Sequence, residues 1–419
     1  MLIEFSVENY RSFREKQILS LLPDEGKHEL QEHLIDGPGE LKLLRSAVVY
    51  GANASGKSNL MGAMQSLRNL VLLSANNSPG ETFNEYTPFL FHQDTAEAPV
   101  SFGINFLLKK KRYHYEVSIS KSEVLSEALY FYPKGREAKL FSRKMQHFEF
   151  GDYLKGQKAV IAELTAPNQL FISKSAINNI KQLIKIFRFF DQDFMTIPFL
   201  ESWMDTYYTT RIAKELKKAS NNESFNQNFK NLLRSFDTGV IDFQIKKNEP
   251  ALKDNEYEIL AKHYIFNNKG EKIGTLEHPF KEESNGTQKL FVLAGLILRA
   301  LMKGRVIIID EFERSLHPLI TTFILQMFHD PKINTKGAQL IIATHDTNLL
   351  SNSELRRDQI WIVEKDQQGV SSLFSLADVS GIRPQIPFEK WYLSGRFGGV
   401  PGIEKLNFEL NFQHEEEQN

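Results

Sequence analysis

Ser46-Ala47-Val48-Val49-Tyr50 runs straight into Gly51-Ala52-Asn53-Ala54-Ser55-Gly56-Lys57-Ser58-Asn59. The first five residues form a compact apolar run stopped by glycine, the pattern of a buried strand. Beyond Lys57, apolar side chains at Leu60, Met64, Leu67 and Val71 recur at spacings of 4, 3 and 4, which is one face of a helix. The turn between them matches G-x-x-x-x-G-K-[ST] over Gly51–Ser58. Its glycines let backbone N–H groups turn inward around phosphates, and the following helix N-terminus adds partial positive charge. In this pattern Gly51, Asn53, Ala54, Ser55, Gly56 and Asn59 line a phosphate cradle. Lys57 reaches the β/γ-phosphates and the Ser58 hydroxyl holds Mg²⁺. ATP and Mg²⁺ are therefore the expected cofactors.

A second element complements the first. Val306-Ile307-Ile308-Ile309 is an apolar strand that delivers Asp310 to the outer coordination of the metal, with Glu311 beside it to polarise an attacking water. Ser284-Asn285-Gly286-Thr287-Gln288 opens the apolar helix leading into that strand, a small polar helix start able to meet an anion. Ile341-Ile342-Ala343-Thr344-His345 ends another strand on a histidine suited to a γ-phosphate or its water.

At ~150 residues per domain, 419 residues imply two or three domains. A 41% hydrophobic fraction with 25% charged residues and 32 Phe excludes a disordered or fibrous chain. With 51 Lys+Arg against 52 Asp+Glu there is no broad cationic surface, so any nucleic-acid contact must be local. The absence of Cys excludes disulfides, Cys-ligated zinc and Cys nucleophiles. Met1–Phe5 does not read as a secretory leader. The most apolar later run, Leu290–Met302, contains Arg299 and falls short of the ~20 residues of a membrane span. The expectation is a soluble, cytoplasmic protein with no membrane partner.

Outward from the phosphate loop, Leu2–Val7 and Gln17–Leu22 read as a hairpin, and Pro23–Gly39 as loop or ragged helix. Phe102–Leu108 and Tyr113–Ser120 read as strands flanking a basic tip, Lys109–Arg112. Helical spacing returns over 175–236, and Gln339–Thr344 and Gln359–Glu364 are further strands. Strands alternating with helices at both ends predict an α/β fold, a mixed sheet covered on both faces. The expected organisation is an N-terminal lobe (1–88), a β-rich arm (89–174), an inserted helical region (175–236) and a C-terminal lobe (237–419).

The order phosphate loop, Ser-x-Gly helix, Asp-Glu strand, strand-end His resembles ABC-type ATPases, in the SMC/RecF/OLD-like branch. Glu311-Phe312-Glu313-Arg314-Ser315-Leu316-His317-Pro318 resembles that branch's "EPExxLHP" segment, with Phe312 where Pro is usual. Ser315 then falls in the dimer-contacting D-loop, and Ser284–Gln288 stands for the signature. Phe5-Ser6-Val7-Glu8-Asn9-Tyr10-Arg11-Ser12-Phe13, Asp237–Ile241 and Gly395–Pro401 look like further landmarks, and the whole is most similar to RloA/AbiLi-type proteins of anti-phage loci. The resemblance implies an ABC-type P-loop head that forms a homodimer or higher homo-oligomer, each ATP sandwiched between one chain's loop and the other's signature. Gln93 and Gln169 are both candidates for the family's Q-loop glutamine.

The resemblance to RloA-like proteins, which are linked to a separate TOPRIM-like protein, also implies an effector partner, a TOPRIM-like nuclease or another toxin; this chain offers no nuclease centre of its own. No Asp-x-Asp follows His345, Asp191-Gln192-Asp193 lies in the helical region, and Val363-Glu364-Lys365-Asp366 reads as a strand-end turn. Lys109–Arg112 with Tyr113, His114 and Tyr115 is the candidate DNA contact, cations for phosphates and rings for unpaired bases. Three functions compete: a defence ATPase controlling an effector, a RecF/SMC-like repair ATPase acting on DNA, and a transporter's nucleotide-binding subunit. The lack of long heptad arms disfavours an SMC, and the SMC-like signature disfavours the transporter. The first reading leads.

Overall fold

The computed structural model describes residues 1–401 apart from 26–29, 134, 198–201, 219–222, 253–254, 315, 352–353 and 382–385. A central six-stranded sheet runs in the order Phe194–Ile197, Val306–Ile309, Gln339–Ala343, Ser46–Tyr50, Ile360–Lys365, Ser371–Ser375. The first five strands are parallel, with Ile309 opposite Ile342 and Ile342 opposite Val48, and the last is antiparallel. Every residue of the three middle strands is buried. This explains their unbroken apolar sequences, since a sheet covered on both faces has no polar side.

Alternation splits these strands between two cores. Ala47, Val49, Ile308 and Ile341 face the core shared with helix Lys57–Leu73, whose Leu60, Met64, Leu67 and Val71 are all buried there. Val48, Tyr50, Ile307, Ile309 and Ile342 face the opposite core, with helices Asn285–Lys303 and Pro318–His329. This is the mixed α/β P-loop architecture that the sequence predicts. Among the described residues, no helix is long and apolar enough to cross a membrane.

The structure differs from the expected organisation in three places. The strands of region 89–174 are not a separate arm. They pair with the N-terminal hairpin in one seven-stranded antiparallel sheet, through Phe5 opposite Ile104. Glu127 and Arg143, both fully buried, lock that sheet to helix Phe171–Ile177. The Glu127 carboxylate accepts from Phe171 N (2.7 Å), Ile172 N (3.0 Å) and the Tyr115 hydroxyl (3.1 Å). The region read as helical, 175–236, contains the strand Phe194–Ile197, which forms the edge of the central sheet beside Val306–Ile309. Unlike Val306–Ile309, this four-residue strand is no unbroken Val/Ile run, and it follows directly on a helix-spaced stretch. Finally, Asp242–Leu252, Asn255–Phe266 and Lys272–Pro279 form a three-stranded antiparallel sheet ahead of the signature helix, which the sequence reading did not foresee.

Candidate nucleotide site

The phosphate loop joins its strand to its helix as anticipated. Gly56, at φ 121°, could carry no side chain: a Cβ would lie 2.5 Å from Ser371 Oγ and 2.9 Å from Ser12 Oγ. The helix beginning at Lys57 has no side-chain cap, so its first N–H groups are left for an anion. Ser55 Oγ, also buried, has no hydrogen-bond partner. Lys57 folds back, donating to the carbonyls of Gly51 (2.9 Å) and Ala52 (3.1 Å), and burial lowers its pKa. Those carbonyls are weak partners for an ammonium that an incoming phosphate would claim.

Across the sheet's C-terminal edge, Asp310 is buried, with its Oδ1 accepting Glu311 N at 3.1 Å. Burial raises its pKa, opposed by the nearby Ser58 hydroxyl. The Ser58 hydroxyl and the Asp310 carboxylate line the same cleft. Two hard oxygen donors there fit Mg²⁺, which keeps most of its own water and takes few protein ligands. Glu311, in the left-handed region at φ 47°, sends its carboxylate to Arg314 at 3.3 Å.

Asn53 through Asn59, Asp310, Glu311 and His345 line one cleft of about 340 Å³, together with Thr344 and Lys365. His345 stands exposed at its mouth, where desolvation and the Lys57 ammonium lower its pKa against the opposing pull of Glu313, Glu311 and Asp310. A second cleft of about 910 Å³ shares Asn59 and Lys365 with the first and presents Arg11, Tyr86 and Phe91.

Two contributors escaped the sequence reading. Glu313 accepts from Thr344 Oγ1 (2.6 Å) and His345 N (2.8 Å), pinning the strand end that carries the histidine. Lys365 brings a second lysine to the cleft. The end of the Phe5–Phe13 landmark proves to be scaffolding for the loop. Asn9 Nδ2 donates to the carbonyls of Thr95, Ala98 and Pro99, while Ser12 receives Asn59 Nδ2 at 2.7 Å on its hydroxyl and Ser371 N at 2.7 Å on its carbonyl.

The remaining candidates fall elsewhere. Ser284 caps the signature helix itself, accepting Thr287 N at 3.1 Å, and Gln288 Nε2 donates to the Glu283 carbonyl at 2.8 Å. Ser284, Asn285, Gly286, Thr287 and Gln288 do not line the phosphate-loop cleft. Lys289 donates to the Arg314 carbonyl, tying the signature helix to the segment after Glu311. Ser315 lies outside the described residues. Gln169 is buried and spent on the Ala75 and Asn77 carbonyls (3.1 and 3.0 Å), so it serves the fold; Gln93 is exposed and does not line the cleft.

The nucleic-acid reading of 109–115 also needs correcting. Only Lys109 and Lys110 form the tip, both at positive φ, and Arg112 lies over the Tyr132 ring at 4.6 Å. Tyr115 is fully buried and Tyr113 packs between Phe106 and Phe131, so these rings cannot stack on bases.

A phosphate loop at the C-terminal edge of a parallel sheet, with a neighbouring acidic strand end, defines a P-loop nucleotide-binding protein. Residues 46–351 match the family described as "AAA domain, putative AbiEii toxin, Type IV TA system", and the chain belongs to that family. Among curated proteins, none matches the sequence. Similar solved structures include an SMC head bound to the C-winged helix domain of ScpA (14% identity, 89% of this chain and 97% of that chain, TM-score 0.41). Another is the SMC head domain from Thermotoga maritima (14% identity, 89% and 98% covered, TM-score 0.39). A third is an SMC head with an extended coiled coil bound to the C-terminal domain of ScpA derived from Pyrococcus furiosus (15% identity, 89% and 96% covered, TM-score 0.41).

Proposed function

We propose that this protein is an ABC-type ATPase that hydrolyses ATP to ADP and phosphate in the cytoplasm. It closes as an ATP-sandwich homodimer and, as an RloA/AbiLi-like protein, senses infection and controls an effector in anti-phage defence. One observation carries the reading: the uncapped phosphate-loop helix, Lys57, the Ser58–Asp310 pair, Glu311 and His345 share a single cleft. Bound there, triphosphate oxygens take the loop's N–H groups and draw Lys57 away from the loop carbonyls. Ser58 and Asp310 would hold Mg²⁺, which neutralises charge on the β- and γ-oxygens. Glu311 leaves Arg314 to orient the attacking water, and His345 hydrogen-bonds at the γ-phosphate. The adjoining cleft offers Arg11, Tyr86 and Phe91 to the nucleoside.

The signature supports a dimer. Ser284 and Asn285 are exposed at a helix start that does not line this chain's own cleft, so a second copy would supply them to the nucleotide. The family's description, which names a toxin and a toxin–antitoxin system, supports a role alongside an effector. Direct DNA work is the alternative, but Tyr115 is buried and Tyr113 packs between Phe106 and Phe131, which leaves it the exposed cations of Lys109–Arg112 and half-buried His114.

The test is ATP turnover and binding by three proteins. Lys57→Ala should lose Mg-ATP binding, whereas Glu311→Gln should bind Mg-ATP and turn it over roughly 10²–10⁴-fold more slowly than wild type, the usual contribution of a positioned base. Wild-type turnover in Glu311→Gln would overturn the assignment of the catalytic carboxylate.

A further inference from the structure

The stretch Phe388–Pro401 lies beyond the family-matched residues, and none of the proposed chemistry uses it, yet it is built onto the phosphate loop. Helix Phe388–Leu393 presents the Tyr392 ring 5.5 Å from the ring of Tyr50, the residue before Gly51. The Tyr392 hydroxyl lies near the Gly51 backbone and donates to the Gly399 carbonyl at 3.0 Å. Gly399 N donates to Glu364 Oε1 at 2.7 Å, and the next residue, Lys365, lines the nucleotide cleft.

The far end of the helix is anchored beside His345, where Thr347 Oγ1 donates to Glu389 at 3.2 Å. The stretch also closes on itself, with Trp391 and Phe397 rings 5.8 Å apart and the Arg396 guanidinium 4.7 Å from the Trp391 ring. Gly399 is left-handed at φ 67°, and a Cβ there would lie 2.6 Å from Ile362 Cγ2 and 3.4 Å from Gly51 Cα. Only bare backbone can approach the loop this closely.

We propose that Phe388–Pro401 is an intramolecular strap that fixes the geometry of the phosphate loop. Tyr392 and Glu364 are then positioning residues for nucleotide binding rather than for hydrolysis. The proposal rests on the nucleotide-binding reading above and adds a means of regulating that site: whatever displaces the strap weakens nucleotide binding. Glu364, read from the sequence as part of a strand-end turn, lies in the strand Ile360–Lys365 and serves as a hydrogen-bond acceptor for Gly399. Because coupling is reciprocal, a strap that raises nucleotide affinity is itself tightened when nucleotide binds.

The experiment uses the full chain and Mg-ADP as the probe. Tyr392→Phe and Glu364→Ala should each raise the Kd for Mg-ADP at least fivefold. Glu364→Gln, which keeps an acceptor oxygen, should stay within twofold of wild type. KM for ATP should carry the loss, with kcat at saturation within twofold of wild type. In wild type, Mg-ADP should slow hydrogen exchange of the amides from Gly395 to Val400.

Unchanged Kd in both Tyr392→Phe and Glu364→Ala overturns the proposal. If either variant fails to fold, the wild-type exchange measurement decides, and unaltered exchange overturns it. Should Lys57→Ala bind Mg-ADP as wild type does, the nucleotide-site reading fails and takes the strap with it. Loss of binding in Lys57→Ala beside normal binding in the strap variants is failure of the strap alone.

Discussion

Glu311 and Glu313, two residues apart, serve different ends. Glu311 turns its carboxylate toward Arg314 at the edge of the cleft, while Glu313 reaches across to the neighbouring strand end and accepts from Thr344 Oγ1 and His345 N. Glu313→Ala strands that hydroxyl and amide, a loss of about 1–3 kcal/mol where such groups are buried. Thr344 is buried. With His345 no longer pinned, kcat should fall about tenfold with little change in KM, and Glu313→Gln should retain part of it. An unchanged kcat in Glu313→Ala would show that His345 needs no such support. Most of the cleft was legible in the sequence because the loop pattern and the strand-end Asp310-Glu311 pair are local. Glu313 was not, because no spacing tells which strand end a third carboxylate will meet.

Among the elements, the three apolar strands were legible for a physical reason: a sheet buried on both faces leaves unbroken Val/Ile runs. The edge strand Phe194–Ile197 was hidden because it is no unbroken Val/Ile run and follows directly on a helix-spaced stretch. The pairing of the N-terminal hairpin with Val100–Leu108 was hidden by the sequence distance between them. A histidine pair shows how such distant elements are joined. His33 stacks on His329, at the end of helix Pro318–His329, with ring centroids 3.6 Å apart. His33 Nδ1 meets Gln359 Oε1 at 2.8 Å, and His329 Nε2 meets Ser46 Oγ at 2.8 Å, at the start of the phosphate-loop strand.

Burial lowers both histidine pKa values, most strongly that of His329, which His33 and Arg45 depress further. Arg356 and Arg45 also lower that of His33, against Gln359 and Glu32. Below the ordinary His value of ~6.5 the unfolded chain therefore binds protons that the folded chain refuses. Stability from this pair is full above about pH 6.5 and is lost as pH falls through the depressed folded values. The melting temperature should accordingly drop on acidification from pH 7 toward 5, and His329→Gln should flatten that slope. An equal slope in the variant would place the acid sensitivity elsewhere.

At the scale of the whole molecule, the cleft holds everything for gripping a nucleotide except what the signature would add. The helix start Ser284–Gln288 does not line it, and within the chain its own Ser284 caps it. In the proposed mechanism a second copy completes the site, and bound ATP would favour that closed pair over separate chains. This step lay furthest from the sequence: the signature residues could be picked out, but whether they reach their own chain's loop depends on the folded sheet between them. The most direct measurement is the native mass of Glu311→Gln with Mg-ATP, with Mg-ADP and without nucleotide. The account predicts a dimer, or an even-numbered assembly of dimers, formed with Mg-ATP and lost with Mg-ADP. A mass that stays monomeric under saturating Mg-ATP would contradict it.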